Sequence, residues 1–221
     1  MSSPAAQNRS VVETLVREAL FRQLGKPAPA AAPTLLVNSS ARHMHISPDN
    51  LEVLFGKGAE LTVHKMLYQT DQFASQQTVT MVGPRKRIIP NLRILGPCRN
   101  LTQIELALTD SIQLGIDIPV RMSGDIEGTP GAYIMGPKGM LEMKNGVIRA
   151  ARHVHMSPVD AGFYGVKAGE MMGLRIGGLC GLTLNEMLVR VDPSIKLEVH
   201  IDTDEGNACA LEPDTPVELV K

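Results

Sequence analysis

The alternation of apolar and polar positions divides the chain into an N-terminal helical stretch, a linker and a body built of short strands. Val12, Leu15, Val16, Ala19, Leu20 and Leu24 recur at helical spacing, with Glu13, Arg17, Glu18 and Arg22 on the other faces. Ser10 and Glu13 form a capping box, Gly25 suits a left-handed cap and Pro27 blocks further helix. This predicts an amphipathic helix over residues 10–25, after a small, polar and disordered start at 1–9. A Pro/Ala linker follows, extended and semi-rigid, to residue 34. A helix cut off by such a linker does not readily pack on its own domain. Its apolar stripe then needs another partner, or folds back on the core as far as the linker permits.

From Leu35 onward, short apolar runs are broken by Gly, Pro and Asn. Strands are predicted at 77–82, 86–89, 92–95, 103–108, 120–122, 141–143, 174–176 and 196–202, with another leading from Leu35 toward His43. Ser47-Pro48 and Ser157-Pro158 each place an N-cap before a first-turn proline. They predict short helices ending at Gly56 and near Gly165. Many short strands without a βαβ rhythm point to small barrels or sandwiches, so the chain reads as mainly β with short helices.

One octapeptide occurs twice, and it organises the rest. Residues 41–48 read A-R-H-M-H-I-S-P and residues 151–158 read A-R-H-V-H-M-S-P. Four of the six histidines lie in these copies, and the repeat predicts two related halves. On a strand, positions i and i+2 share a face, so each H-x-H aims two imidazoles at one point. Arg42, Met44, Arg152 and Val154 then face the other way.

Composition narrows the function. A net charge of −1 favours neither nucleic acid nor an anionic membrane as partner, so any phosphate site is built locally. The three cysteines are widely spaced, without C-x-x-C, which suits free thiols in a reducing compartment. No apolar run is long enough to span a bilayer, and the first residues lack the basic-then-apolar layout of a secretory signal. No Gly-rich phosphate loop is present. Aromatics make up only 3% of the chain, so its cores rest on Val, Ile, Leu and Met.

Zinc takes three protein ligands in catalytic sites and four in structural ones. His43, His45, His153 and His155 supply four, and the remainder come from among His64, Glu105, His200 and the cysteines. By number, four histidines plus Glu105 and His200 make two three-ligand sites with open positions. Arg85, Lys86, Arg87, Arg93 and Arg99 lie between the two motifs and form an anion site if the fold gathers them. The bland alternatives are H-x-H as a chance pairing, Glu105 as an ordinary strand residue, His64 and Cys98 as structural residues, and 85–87 as a solvated loop.

The doubled R-H-x-H-[IM]-S with G-P-C-R-N-x-T-Q-I-E between the copies resembles the phosphate propanoyltransferases of bacterial microcompartments. The resemblance covers 35–221. It implies a phosphotransacylase that interconverts propanoyl-CoA, or another short acyl-CoA, plus phosphate with acyl phosphate plus CoA. It implies two small β-barrel domains, one from 35–46 with 155–221 and the other from 47–154, and a dinuclear metal site, usually zinc. One metal would be held by His43, His45 and Glu105, the other by His153, His155 and His200. Arg99 would hold phosphate with Ser123 nearby. The segment 1–27 resembles an encapsulation peptide, joined by linker 28–34. That implies residence in a microcompartment lumen, partners among shell or core proteins through residues 10–25, and a homo-oligomer, dimer or larger. The competing readings are a non-catalytic zinc-stabilised scaffold, a metallohydrolase and a bicupin-like metalloenzyme. A bicupin's Glu would follow the second His by four or five residues, but Glu52 comes later than that; the hydrolase's Asp-His partner is missing too.

Overall fold

The computed structural model describes residues 32–221, together with Val16 and Gln23 from the segment before them. Those two have helical backbone; the remainder of the helix expected over 10–25 lies outside the described residues.

The body is mainly β. Its strands are β1 (Leu36–Ser40), β2 (His43–His45), β3 (Val63–Met66), β4 (Phe73–Val82), β5 (Ile88–Gly96), β6 (Gln103–Glu105), β7 (Val120–Arg121), β8 (Ala132–Met135), β9 (Met140–Met143), β10 (Val147–Ala150), β11 (His153–Met156), β12 (Met171–Ile176), β13 (Leu182–Val191), β14 (Glu198–Asp202) and β15 (Val217–Val220). Four short helices interrupt them: α1 (Pro48–Phe55), α2 (Leu108–Leu114), α3 (Pro158–Tyr164) and α4 (Thr203–Ala208). The strands form two curled half-barrel sheets. One runs β1-β14-β11-β13-β12-β15; the other runs β7-β10-β6-β2-β5-β4-β8-β9, with β3 added to β4.

The octapeptide repeat is the visible part of a larger structural repeat. In the first sheet β1 is parallel to β14, β14 antiparallel to β11, and β11 parallel to β13. In the second, β10 is parallel to β6, β6 antiparallel to β2, and β2 parallel to β5. Antiparallel β12 and β15 then match antiparallel β4 and β8. The two sheets exchange strands: β1 precedes β2 in the chain but lies in the sheet of β11, and β10 precedes β11 but lies in the sheet of β2. The chain crosses between sheets at 41–42 and at 151–152, where each octapeptide begins.

The middle residues of the two H-x-H strands are fully buried on the opposite face, each in its own core. Met44 packs with Ile46, Leu54, Met81 and Leu92, and Val154 with Met156, Leu174, Met187 and Val199. Each such side chain contributes about 1.5–3 kcal/mol by leaving water. This anchors the strands while the histidines face away from the core. The caps act as expected: Ser47 Oγ accepts from Asn50 N, Ser157 Oγ accepts from Asp160 N, and Gly165 ends α3 in the left-handed region at φ 62°.

Several elements depart from the expected pattern. β3, β8, β10, β15, α2 and α4 are additional, and the strands expected at 86–89 and 92–95 are one, β5. Two further departures have a clear physical reason. The strand expected over 103–108 ends at Glu105, because Asp110 Oδ2 accepts from the backbone N–H of Ala107 and so caps the start of α2. β13 was not expected at all. The apolar positions that it packs on the core are Leu182 and Leu184, then Met187, Val189 and Val191, a one-residue change of phase. Glu186 lies between them at φ 58°, and the pairing with β12 shifts register there. A bulge of this kind hides a strand from a period-two reading.

Candidate metal centres

Each H-x-H strand pairs antiparallel with a strand that puts a third donor opposite its first histidine. His43 on β2 faces Glu105 on β6, and His153 on β11 faces His200 on β14. In both groups the donor atoms lie within 4.8 Å of one another. In the first, His43 Nε2 is 3.2 Å from His45 Nε2 and 3.5 Å from Glu105 Oε2, and His45 Nε2 is 3.8 Å from Glu105 Oε1. In the second, the three imidazole centroids are 4.7–4.9 Å apart, with His153 and His200 stacked.

The hydrogen bonds around the triads fix which nitrogens face inward. His43 Nδ1 lies 2.8 Å from the Ala41 carbonyl and His153 Nδ1 2.9 Å from the Ala151 carbonyl. A carbonyl only accepts, so both Nδ1 atoms carry the proton and both Nε2 lone pairs point into the triads. The two carbonyls are equivalent, each at the point where the chain crosses between sheets. Near the second triad, buried His155 Nδ1 has no hydrogen-bond partner. His200 Nε2 lies 3.1 Å from Glu198 Oε2 but is not aligned for a hydrogen bond.

Their surroundings keep three of the rings, those of His45, His153 and His155, neutral. Burial, with help from His43 and Arg99, pushes His45 down to about 2. Burial and then His200 push His153 to about 4; burial, His200 and His153 push His155 to about 3. Clustered lone pairs on neutral imidazoles, one group completed by a carboxylate, repel one another unless a cation lies between them. Two His plus one Glu and three His are both zinc-type donor sets with room for a further ligand. The residues therefore fit a divalent metal in each triad.

Both triads open on one cleft of about 310 Å³, which lies between the sheets. Glu105 of one triad acts electrostatically on His153 of the other. Arg99 and Ser123 also line the cleft, so the metal-ligand and phosphate-site residues that the family resemblance implies meet there. Arg99 Nη1 donates to Ser123 Oγ at 3.1 Å. Gln103 Nε2 donates to Ser123 Oγ at 2.9 Å and to Glu105 Oε1 at 2.7 Å, while Gln103 Oε1 accepts from Gly124 N at 2.7 Å. Burial pulls Arg99 below the usual arginine range; Glu105 opposes that and Arg190 adds to it.

Other candidates do not join. His64 is exposed on β3, and Cys98 lines a separate groove with Leu51 and Phe73. The cationic run does not converge either. Arg85 donates to the Ile112 carbonyl and Arg93 to those of Ser75 and Gln76, leaving Arg99 as the member that lines the cleft. The sequence reading missed Arg190, which lines the cleft from β13 and faces His155 in register. It missed Gln103 and Glu198 as well. The available signal was Q-I-E, where Gln103 and Glu105 share a face by the same i, i+2 rule that groups the histidines.

No described helix is long and apolar enough to cross a membrane. A family model described as phosphate propanoyltransferase matches residues 36–212. A curated protein of that name from Planctopirus limnophila is 54% identical, the alignment covering 97% of this chain and 92% of the relative. Relatives of the same name from Thermotoga maritima (49% identical, 81% of this chain and 85% of the relative) and Salmonella typhimurium (42%, 91% and 92%) are also similar. Two metal-type triads from a duplicated motif, an arginine between them and likeness along nearly the whole chain converge on one conclusion: this chain belongs to the phosphate propanoyltransferase family, enzymes of the phosphotransacylase type.

Proposed function

We propose that the cleft is a dinuclear zinc centre that interconverts a short acyl-CoA plus phosphate with acyl phosphate plus CoA. One observation carries this reading: two three-donor groups from different sheets, each short of a closed four-ligand site, open on the same cleft beside a half-buried arginine. A scaffold-type structural zinc would be closed by four protein ligands.

His43, His45 and Glu105 would hold one ion; His153, His155 and His200 would hold the other. Bound zinc supplies thiolate stabilisation and Lewis acidity toward phosphate and carbonyl oxygens. Arg99 binds phosphate through its guanidinium fork and orients it toward the thioester carbonyl. Ser123 and Gln103 keep that guanidinium and Glu105 in place through their shared hydrogen bonds. Arg99 also offers positive charge to the developing oxyanion. Transfer is proposed as direct: a phosphate oxygen attacks the thioester carbonyl and CoA leaves as the thiolate within one ternary complex. Recovery of acylated protein from acyl-CoA without phosphate would overturn that step.

The deciding experiment is phosphate-dependent consumption of propanoyl-CoA by the full chain, with metal analysis. Activity lost on chelation and restored by zinc, at two ions per chain, supports the proposal; activity that survives complete metal removal overturns it. Assays across acyl lengths and in both directions give the preferred substrate and the favoured direction.

Two domains, 35–46 with 155–221 and 47–154, are also proposed; the presence of two separate apolar cores supports a division into two halves. Residues 1–27, with the linker at 28–34, are proposed as an encapsulation peptide that carries the enzyme into a microcompartment lumen through residues 10–25. Homo-oligomers, dimeric or larger, follow from self-association of that segment. Deleting 1–27 is expected to leave turnover intact and abolish packaging; a loss of turnover overturns this assignment.

A further inference from the structure

The arginine that precedes each H-x-H has no role in the chemistry above, yet it is present in both copies. Arg42 Nη1 is 2.8 Å from Asp110 Oδ1. The other oxygen of Asp110 accepts from the backbone N–H of Ala107 at 3.3 Å, two residues beyond Glu105. In the second half Arg152 Nη2 is 2.8 Å from Glu205 Oε1. Glu205 Oε2 accepts from the backbone N–H of Asp202 at 3.0 Å, two residues beyond His200.

The two arrangements have the same covalent and hydrogen-bonded path. Each runs from the first histidine ligand, through the adjacent arginine, to an acid five residues after the third ligand. Each then returns through that acid's second oxygen to the backbone beside the third ligand. Each acid is the N3 residue of a helix and accepts from its N-cap backbone N–H, in α4 as half of a full capping box, so each also helps fix the start of a helix. Both carboxylates are buried, with Asp110 8% and Glu205 9% exposed. Two strands in a ladder still slide and twist, and a metal site tolerates little of either. Support around a first coordination sphere is worth about 10–100-fold in metal affinity.

We propose that Arg42 and Arg152 are positioning residues, one for each metal site. Each ties the H-x-H strand to the strand carrying the third ligand, and so sets the preorganisation of that triad alone. Arg42 with Asp110 serves the His43–His45–Glu105 site. Arg152 with Glu205 serves the His153–His155–His200 site, where Arg149 adds a second contact to Glu205 at 3.5 Å. The inference rests on the two-metal reading of the cleft.

The test is competition between the full-length protein and a chromophoric zinc chelator. The two binding steps are assigned beforehand with Glu105→Ala and His200→Ala. Failure of the wild-type chain to bind two zinc ions sinks the two-metal reading itself. With two ions bound, Arg42→Gln is expected to weaken the Glu105-containing site by roughly 10–100-fold and leave the other within about threefold. Arg152→Gln is expected to do the reverse. Asp110→Asn and Glu205→Gln keep size and cap geometry, and give the same site-selective readout if an arginine variant does not fold. Lysine at either position keeps the charge but loses the fork, and is expected to recover only part of the affinity. No change at either site overturns the proposal, as does an equal loss at both sites in a single variant.

Discussion

The smallest feature that decides the chemistry is the protonation state of a few buried imidazoles. His45, His153 and His155 are held neutral in the fold, at about 2, 4 and 3. In the unfolded chain they titrate near about 6.5. Below that pH the unfolded state binds more protons than the folded one, so stability rises with pH. The neutral rings' contribution is complete above about pH 6.5 and is lost as pH falls toward each folded value. Urea unfolding of the chelated chain is expected to give a midpoint that climbs between about pH 5 and pH 7, each ring adding up to about 1.4 kcal/mol per pH unit. A midpoint that falls over this range contradicts the neutral-imidazole assignment. Arg99 gives a second prediction. Arg99→Lys keeps a charge but not the planar fork, so KM for phosphate should rise at least about tenfold, with KM for acyl-CoA changing far less. Steady-state kinetics with each substrate varied in turn check this; equal effects on both would remove Arg99 from the phosphate site. At Gly131 a Cβ would overlap the Met143 carbonyl oxygen. Gly131→Ala should therefore cost about 1–3 kcal/mol of stability by denaturant unfolding.

Among elements, α1 and α3 were legible because their boundaries are written in local chemistry, whereas α2 and α4 were not anticipated. Ser47-Pro48 and Ser157-Pro158 mark starts, and Gly56 and Gly165 mark ends, just where the structure has them. Ser157 Oγ accepts from Asp160 N while Asp160 Oδ2 accepts from Ser157 N and Oγ. Ser157→Ala is expected to lower the unfolding free energy by about 1 kcal/mol without altering zinc content. A parallel loss of zinc would mean that α3 does more than close its own turn. Strands were harder. β13 was hidden by the phase change at Glu186, and the end of β6 by a cap that Asp110 alone supplies, since the N-cap residue Ala107 has no side-chain oxygen. At β13 the local pattern competed with the register of the partner strand, while at β6 the helix cap lies three residues on, in Asp110.

In the whole molecule, the cleft is bridged by contacts between residues far apart in sequence. Gln69, in the loop between β3 and β4, donates to the Lys196 carbonyl at 3.0 Å and to Glu198 Oε2 at 2.6 Å. It accepts from Lys196 N at 3.0 Å. Lys196 Nζ returns a hydrogen bond to the Tyr68 carbonyl and lies 5.1 Å from the Tyr68 ring centre. Gln69→Ala is expected to speed amide exchange at Lys196 while leaving amides in both cores protected. Unchanged exchange at Lys196 would show that the bridge does not restrain this edge of the cleft. Glu198 takes part in the same contacts: burial raises its carboxyl, but His200, Gln69 and Asn38 outweigh that and hold it below the usual range.

The sequence by itself determined the paired histidines, their common face, the helix caps and an aliphatic, Met-rich interior. Each depends on residues within one or two turns of chain, where period, capping and side-chain type act directly. Only the tertiary structure decided that β1 and β10 change sheets, that Glu105 and His200 stand opposite the first histidine of each pair, and that Arg190 reaches the cleft. Those outcomes depend on strand register between segments tens of residues apart. Register is set by two cores closing at once, and no local stretch of sequence carries that information.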